Sequence, residues 1–235
     1  MSKYRRIAAF VLPAALLTAC LDSRPDSEIV IDVGGTELGL TLPAGFCKLE
    51  KKNPSDARLI GMIKKMTRGR GKLFLSVANC EQLKAWRAGK MKTLDDYGFI
   101  MVPRRAVRGK IRTSRAAFVK TMERQLNKVT QRRRRAIKAN MRRRVRSLNT
   151  TLRLNQTKIL GVLKADDTAV HVGVLQKLQT EYGDQKTIVG SFGATLVRKK
   201  VLFVYLYSKM QGQASIRAVQ SAEEKWLRAI VDVNG

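Results

Sequence analysis

The sequence predicts an α+β fold: an antiparallel sheet between helices in an α/β/α arrangement, with one long arginine-rich helix projecting from it. Three observations carry that expectation. Four strand-like runs crowd the stretch from Thr157 to Met210. The run 201–209 is apolar on both faces, with Val201, Phe203, Tyr205 and Tyr207 opposite Leu202, Val204 and Leu206, so it must be covered on both sides. Apolar residues also recur at helical spacing from Phe118 to Leu152 and from Ile216 to Ile230.

The elements follow in chain order. Glu28–Val33, then Gly34-Gly35, then Thr36–Leu42 read as strand, tight turn and strand, because paired glycines accept the positive φ of hairpin turns. Asn53-Pro54-Ser55-Asp56 opens a helix: Asn53 can cap, Pro54 suits the first turn and Asp56 favours the positive N-terminal end. Leu59, Ile63 and Met66 share a face of it, and Gly69 or Gly71 ends it. Lys72–Cys80 and Tyr97–Val102 read as strands, with Leu83 and Trp86 on a short amphipathic turn between them. The four later runs are 157–165, 168–181, 186–197 and 201–209, separated by the turn residues Asp166-Asp167, Gly183-Asp184 and Arg198-Lys199-Lys200. Such short connections imply an antiparallel meander. A helix over about 214–231 closes the chain, with Ile216, Val219, Trp226 and Ile230 on one stripe. This order of elements, above all the 201–210 strand followed by a Trp-bearing helix, resembles the PsbP-like sandwich. The resemblance implies a fold and no particular function.

The charge is concentrated. The chain carries 47 Lys+Arg against 18 Asp+Glu, a formal net charge of +29. Eighteen of those basic residues lie between Arg104 and Arg146, with Glu123 the one acid among them. Phe118, Met122, Leu126 and Val129, then Ile137, Met141, Val145, Leu148 and Leu152, keep steps of three or four, and no Pro or Gly falls between Lys110 and Leu160. The pattern predicts a helix over about 113–149 inside a basic segment 104–150. At its full length such a helix would measure about 55 Å, longer than a compact chain with a radius of gyration of about 17 Å. Arg132-Arg133-Arg134-Arg135 would sweep about 300° of its circumference, which a buried helix could not tolerate. Arg142-Arg143-Arg144 repeats the pattern.

Arginine presents a planar fork of donors that suits phosphate. The seven arginines 132–135 and 142–144 are therefore the expected anion-binding residues, with anionic lipid or lipopolysaccharide as the partner and a solvated helix without a partner as the alternative. Nucleic acid is disfavoured, because no aromatic residue lies within 119–146 to stack on bases.

The N-terminus is an address. Lys3, Arg5 and Arg6 precede the 13 residues Ile7–Ala19, apolar except for Thr18, which are too few to span a membrane and right for a signal-peptide core. Leu17-Thr18-Ala19-Cys20 resembles the lipobox of bacterial lipoproteins. That resemblance implies cleavage after residue 19, a diacylglyceryl group on Cys20 and anchoring in the membrane by several acyl chains. Leu21, where an aspartate would mark retention in the inner membrane, points to the outer membrane. The expected organisation is a signal peptide over 1–19, a lipidated tether over 20–27 and one domain over 28–235, facing the periplasm.

Two cysteines remain, Cys47 and Cys80. An exported chain meets an oxidising compartment in which they can pair; two buried free thiols are the alternative. No catalytic constellation emerges. Val189-Gly190-Ser191-Phe192-Gly193 lacks the glycine two residues before the serine that a nucleophile elbow requires. Gly71-Lys72 lacks the rest of a P-loop. His171, the one histidine, falls in a strand and reads as a packed or surface residue, which leaves no histidine-based metal site. The expectation is a non-catalytic protein with no cofactor and no metal, with a nucleic-acid binder or a hydrolase with an unrecognised site as the rival classes.

Overall fold

A computed structural model describes residues 29–128, 139, 152–180 and 185–235. They form nine strands and five helices among the described residues. Strands β1 (Ile29–Asp32) and β2 (Glu37–Leu40) make a separate antiparallel hairpin. The other seven form one wholly antiparallel sheet: β3 (Phe46–Lys48), β4 (Gly71–Asn79), β5 (Tyr97–Pro103), β6 (Leu152–Ala165), β7 (Val170–Thr180), β8 (Gln185–Val197) and β9 (Lys200–Lys209), in the order β3-β4-β5-β9-β8-β7-β6. The helices are α1 (Pro54–Thr67), α2 (Cys80–Arg87), α3 (Arg104–Arg108), α4 (Arg115–Asn127) and α5 (Gln213–Asp232).

Helices lie against both faces of the sheet. The alternation along β9 decides which residues meet which layer. Leu202, Val204 and Leu206 join one core with Trp226, Leu227 and Ile230 of α5 and with Leu38 and Leu40 of the hairpin. Phe203, Tyr205 and Tyr207 point the other way, onto a core that holds Leu59 and Ile63 of α1 and Leu83 of α2. On that second face Val119 of α4 packs on Val170 and Ala194.

Local chemistry accounts for the boundaries. Asn53 caps α1 with its Oδ1, which accepts from the Ser55 and Asp56 amides at 3.0 and 3.3 Å, and Gly69 takes the positive φ (77°) needed to leave the helix. Asn79 caps α2 in the same way, its Oδ1 accepting from the Gln82 amide at 3.1 Å. The hairpin is fastened to the far end of the chain. Asn234 donates through Nδ2 to the carbonyls of Gly39 (2.8 Å) and Ile230 (2.7 Å) and accepts from the Gly39 amide (3.0 Å). The Trp226 indole donates to the Thr41 carbonyl at 2.8 Å.

Three readings of the sequence shift in the structure. Leu152 does not extend the helical stripe; it opens β6 and pairs with Thr180. Leu152-Arg153-Leu154 alternates at the period of a strand, a signal that the four-residue step from Leu148 masked. The turn suggested by Leu83 and Trp86 is the helix α2. Lys200 is not a turn residue: Arg198 and Lys199 take the positive φ angles (44° and 65°), and Lys200 begins β9 fully buried. Of the long helix expected over 113–149, the structure describes α4, which Ser114 caps by accepting from the Ala117 amide at 3.2 Å. Residues 129–138 and 140–151 lie outside the described residues, and with them Arg132–Arg135 and Arg142–Arg144.

Cys47 of β3 and Cys80, the first residue of α2, are joined in a disulfide with their Cα atoms 5.0 Å apart. The bond closes a loop of 33 residues; a loop of that size is worth about 3–4 kcal/mol. It pins the shortest strand, at the sheet edge, to the helix that follows its neighbour.

Candidate anionic-surface interface

The described part of the basic segment is anchored at its root, packs one face of α4 on the sheet and turns its charges outward. The fully buried Lys200 donates through Nζ to the carbonyls of Val107 (2.9 Å) and Gly109 (3.1 Å). These are orphan acceptors at the C-terminal end of α3, where a cation is favoured. The Ile111 amide donates to the Lys199 carbonyl at 2.9 Å, and Arg115 Nε donates to the Leu196 carbonyl at 2.9 Å. Gly34, at the hairpin turn, has a positive φ of 56°, and a Cβ there would stand 2.1 Å from the Val107 oxygen. The segment therefore wraps the end of the sheet at the β8–β9 turn. Ala106 and Val107 pack on the α5 side, and α4 packs on the other.

Beyond those anchors the charges face solvent. In α4, Phe118, Val119, Met122 and Leu126 turn inward, which leaves Lys120, Arg124 and Lys128 as an exposed row at four-residue steps. Arg104, Arg105, Arg108, Lys110 and Arg112 are exposed as well. Among the described residues, none of these eight cations is within ion-pair distance of a carboxylate. Arginine and lysine that neutralise no acid among the described residues are available to an external anion, most strongly to a surface of phosphates.

The remaining candidates fall in different places. Cys20 lies outside the described residues. His171 is buried in β7, and its Nδ1 is 2.7 Å from Glu223 Oε2 of α5. Ser191 Oγ donates to the same oxygen at 3.0 Å. A Cβ on Gly193 would stand 2.2 Å from Glu223 Oε1, so that glycine makes room for the carboxylate; Oε1 has no hydrogen-bond partner among the described residues. Burial disfavours the charged imidazole, but the hydrogen bond and charge of Glu223 outweigh it and raise the His171 pKa above its ordinary value. Burial raises that of Glu223. The carboxylate holds the serine and the imidazole by one oxygen inside a closed core, and the arrangement works as a packing contact between α5 and the sheet. Reading the sequence missed Glu223. Its position, four residues after Val219 and three before Trp226, puts it on the apolar stripe of α5, and that is the signal that identifies it.

A second buried carboxylate, Asp56, accepts from the Glu50 amide at 2.8 Å and from Arg87 Nε at 3.0 Å. It ties α1 to α2. Among the described residues no three His, Cys, Asp or Glu side chains come together as metal ligands, and no helix is long and apolar enough to cross a membrane. No protein-family model matches the chain, and no curated protein sequence matches it significantly.

Proposed function

We propose that the protein is a non-catalytic bacterial envelope lipoprotein, held in the outer membrane by acyl chains on Cys20, whose basic segment binds anionic headgroups. The observation that carries the binding part is the set of eight exposed cations on α3, the 109–114 connection and α4 that have no acidic partner among the described residues. They run directly into the sequence that holds Arg132–Arg135 and Arg142–Arg144, and the whole run, as one arginine-rich helix, is read as the polyanion-binding element. The lipobox-like Leu17–Cys20 supports the anchor, and the disulfide suits an oxidising compartment. An antiparallel sheet covered by helices on both faces supports the resemblance to the PsbP-like sandwich.

Two measurements test the reading. Cells fed a palmitate analogue should label the wild type and not Cys20→Ser; an unlabelled wild type removes the anchor. A lipid-free chain beginning at Asp22 should bind anionic phospholipid vesicles at low salt. Each basic residue near such a surface is worth about 1 kcal/mol, so Lys120→Gln/Arg124→Gln/Lys128→Gln should weaken binding by about two orders of magnitude, and changing Arg132–Arg135 to Gln should weaken it further. Equal binding of wild type and variants sinks the headgroup reading.

A further inference from the structure

Strand β3 leaves its neighbour half covered. It pairs Phe46, Cys47 and Lys48 with Asn79, Ala78 and Val77 of β4, and one more bond follows, from the Leu49 amide to the Ser76 carbonyl at 2.9 Å. The chain then turns away at residues 50–53 to enter α1. On its inner side β4 is paired with β5 from Gly71 to Ala78. On its outer side the stretch from Gly71 to Leu75 has no strand partner among the described residues. An unpaired edge is a row of backbone donors and acceptors ready for another strand.

Beside that edge lies a groove of about 910 Å³, bounded by β4, the β3–α1 connection and the second half of α1. Leu49 and Ile60 of the core under α1, and the half-buried Leu73 packed against it, line its apolar part. Its charged residues are Lys48, Lys51, Lys52, Lys64 and Lys72, with Glu50 as the one acid. Among the described residues none of the five lysines is within ion-pair distance of a carboxylate; Lys72 lies 4.9 Å above the Phe74 ring.

A strand edge facing a helix across an apolar-floored groove is the arrangement in which extended peptides are bound by strand addition, the backbone supplying affinity and alternate side chains specificity. We propose that this groove docks an extended, acidic segment of a partner protein, which pairs with the outer edge of β4 at Gly71–Leu75. Alternate side chains of the segment would enter the groove over Leu49, Ile60 and Leu73, and the acidic ones would meet the five lysines. The unpaired backbone edge is what selects a polypeptide: a lipid or nucleic-acid phosphate would use the lysines and leave the edge idle. The site is separate from the basic segment and does not depend on the headgroup reading.

The test uses the full chain purified in a non-ionic detergent and the synthetic peptide acetyl-Glu-Val-Glu-Val-Glu-Val-Glu-amide. Titration should give saturable binding, with slowed amide exchange over residues 71–75. The same peptide N-methylated at alternate residues keeps its charge and loses half its backbone donors, and it should bind at least tenfold more weakly. Lys64→Glu/Lys72→Glu, both at exposed positions, should also weaken binding at least tenfold while the melting temperature stays within a few degrees. Three results overturn the proposal. Binding of the N-methylated peptide as tight as that of the parent reduces the site to diffuse charge. Binding of the lysine variant equal to that of the wild type moves the contact elsewhere. Failure of the peptide to bind overturns it outright, and aggregation of Lys64→Gln/Lys72→Gln then makes the lysines guards of an open edge and nothing more. Anionic vesicles run in parallel separate this site from the basic segment, since Lys64→Glu/Lys72→Glu should leave most vesicle binding in place.

Discussion

Against α5 the sheet presents aliphatic residues around one tryptophan; against α1, α2 and α4 it presents a ladder of aromatic rings. On the first face Val77, Ile100, Val102, Leu202 and Val204 share a core with Trp226, which is 2 % exposed and donates to the Thr41 carbonyl just after the hairpin. On the second, Tyr97 stacks on Tyr207 at 5.0 Å, Phe99 on Tyr205 at 4.5 Å, and Phe192 on Tyr205 at 5.3 Å. Three short helices share that face, with the groove described above at one end of it and the exposed cations of α4 at another. The α5 face is closed by one continuous 20-residue helix whose residues interlock with strands and hairpin. The difference teaches how two cores are closed: one face by a single helix that interlocks with strands and hairpin, the other by three shorter helices that leave the groove and the exposed cations, the two surfaces proposed to meet partners, at its margins.

The comparison breaks first at Trp226. Trp226→Ala removes a large buried side chain and leaves the Thr41 carbonyl without its donor, so it should cost about 3–5 kcal/mol in chemical denaturation. A cost below that of Val119→Ala, about 2 kcal/mol for a small buried side chain under α4, would reverse the assignment of the two faces.

A sharper probe is Glu223→Gln, which keeps the shape and removes the charge. In the folded protein His171 holds its proton to higher pH than the free side chain does, because Glu223 outweighs the burial that opposes it. A raised folded-state pKa gives stability that is complete below the ordinary imidazole value of about 6.5 and is lost as pH rises through the folded value. In the variant the buried imidazole keeps only the weaker charges of Glu224 and Asp166, and its charged form is disfavoured by burial. The variant should therefore be less stable than wild type by about 1.5–3 kcal/mol at pH 5.5, the worth of a hydrogen bond to a charged group, and the gap should narrow by pH 8. A gap that widens with pH contradicts the ion pair.

The smallest effect is expected on the outer side of α4. Replacing Lys120, Arg124 and Lys128 by Gln touches no core contact and no ion pair among the described residues, so each should change stability by less than about 0.5 kcal/mol, whatever it does to vesicle binding. A large loss on melting would mean that these residues hold the structure.

The strands of the meander were legible because alternation at a period of two survives any tertiary context in which one or both faces are buried. The runs 157–165, 168–181, 186–197 and 201–209 correspond to β6–β9 within a few residues at each end, apart from the start of β6 at Leu152. The closing helix was legible from its stripe, and α1 from its cap and proline. Less could be read where the sequence is short or ambiguous. Phe46–Lys48 is three residues long and is a strand through its pairing with β4. Arg104–Arg108 is a helix whose end depends on Lys200, nearly a hundred positions away.

Composition alone determined the concentration of charge and the presence of two cysteines outside the N-terminal motif, because counts do not depend on conformation. Only the tertiary structure decided which charges are used inside. Lys200, Glu223, His171 and Asp56 look like ordinary polar residues in sequence, yet each is nearly or wholly buried and joined to a partner from another element. A buried charge is tolerated only when a partner or an orphan carbonyl meets it. Those meetings are made by long-range strand order, β3-β4-β5-β9-β8-β7-β6, which no local pattern contains. The same order puts the Lys48–Lys52 stretch and the open edge of β4 side by side, because the early pairing with β3 stops three residues in and the chain must turn to enter α1.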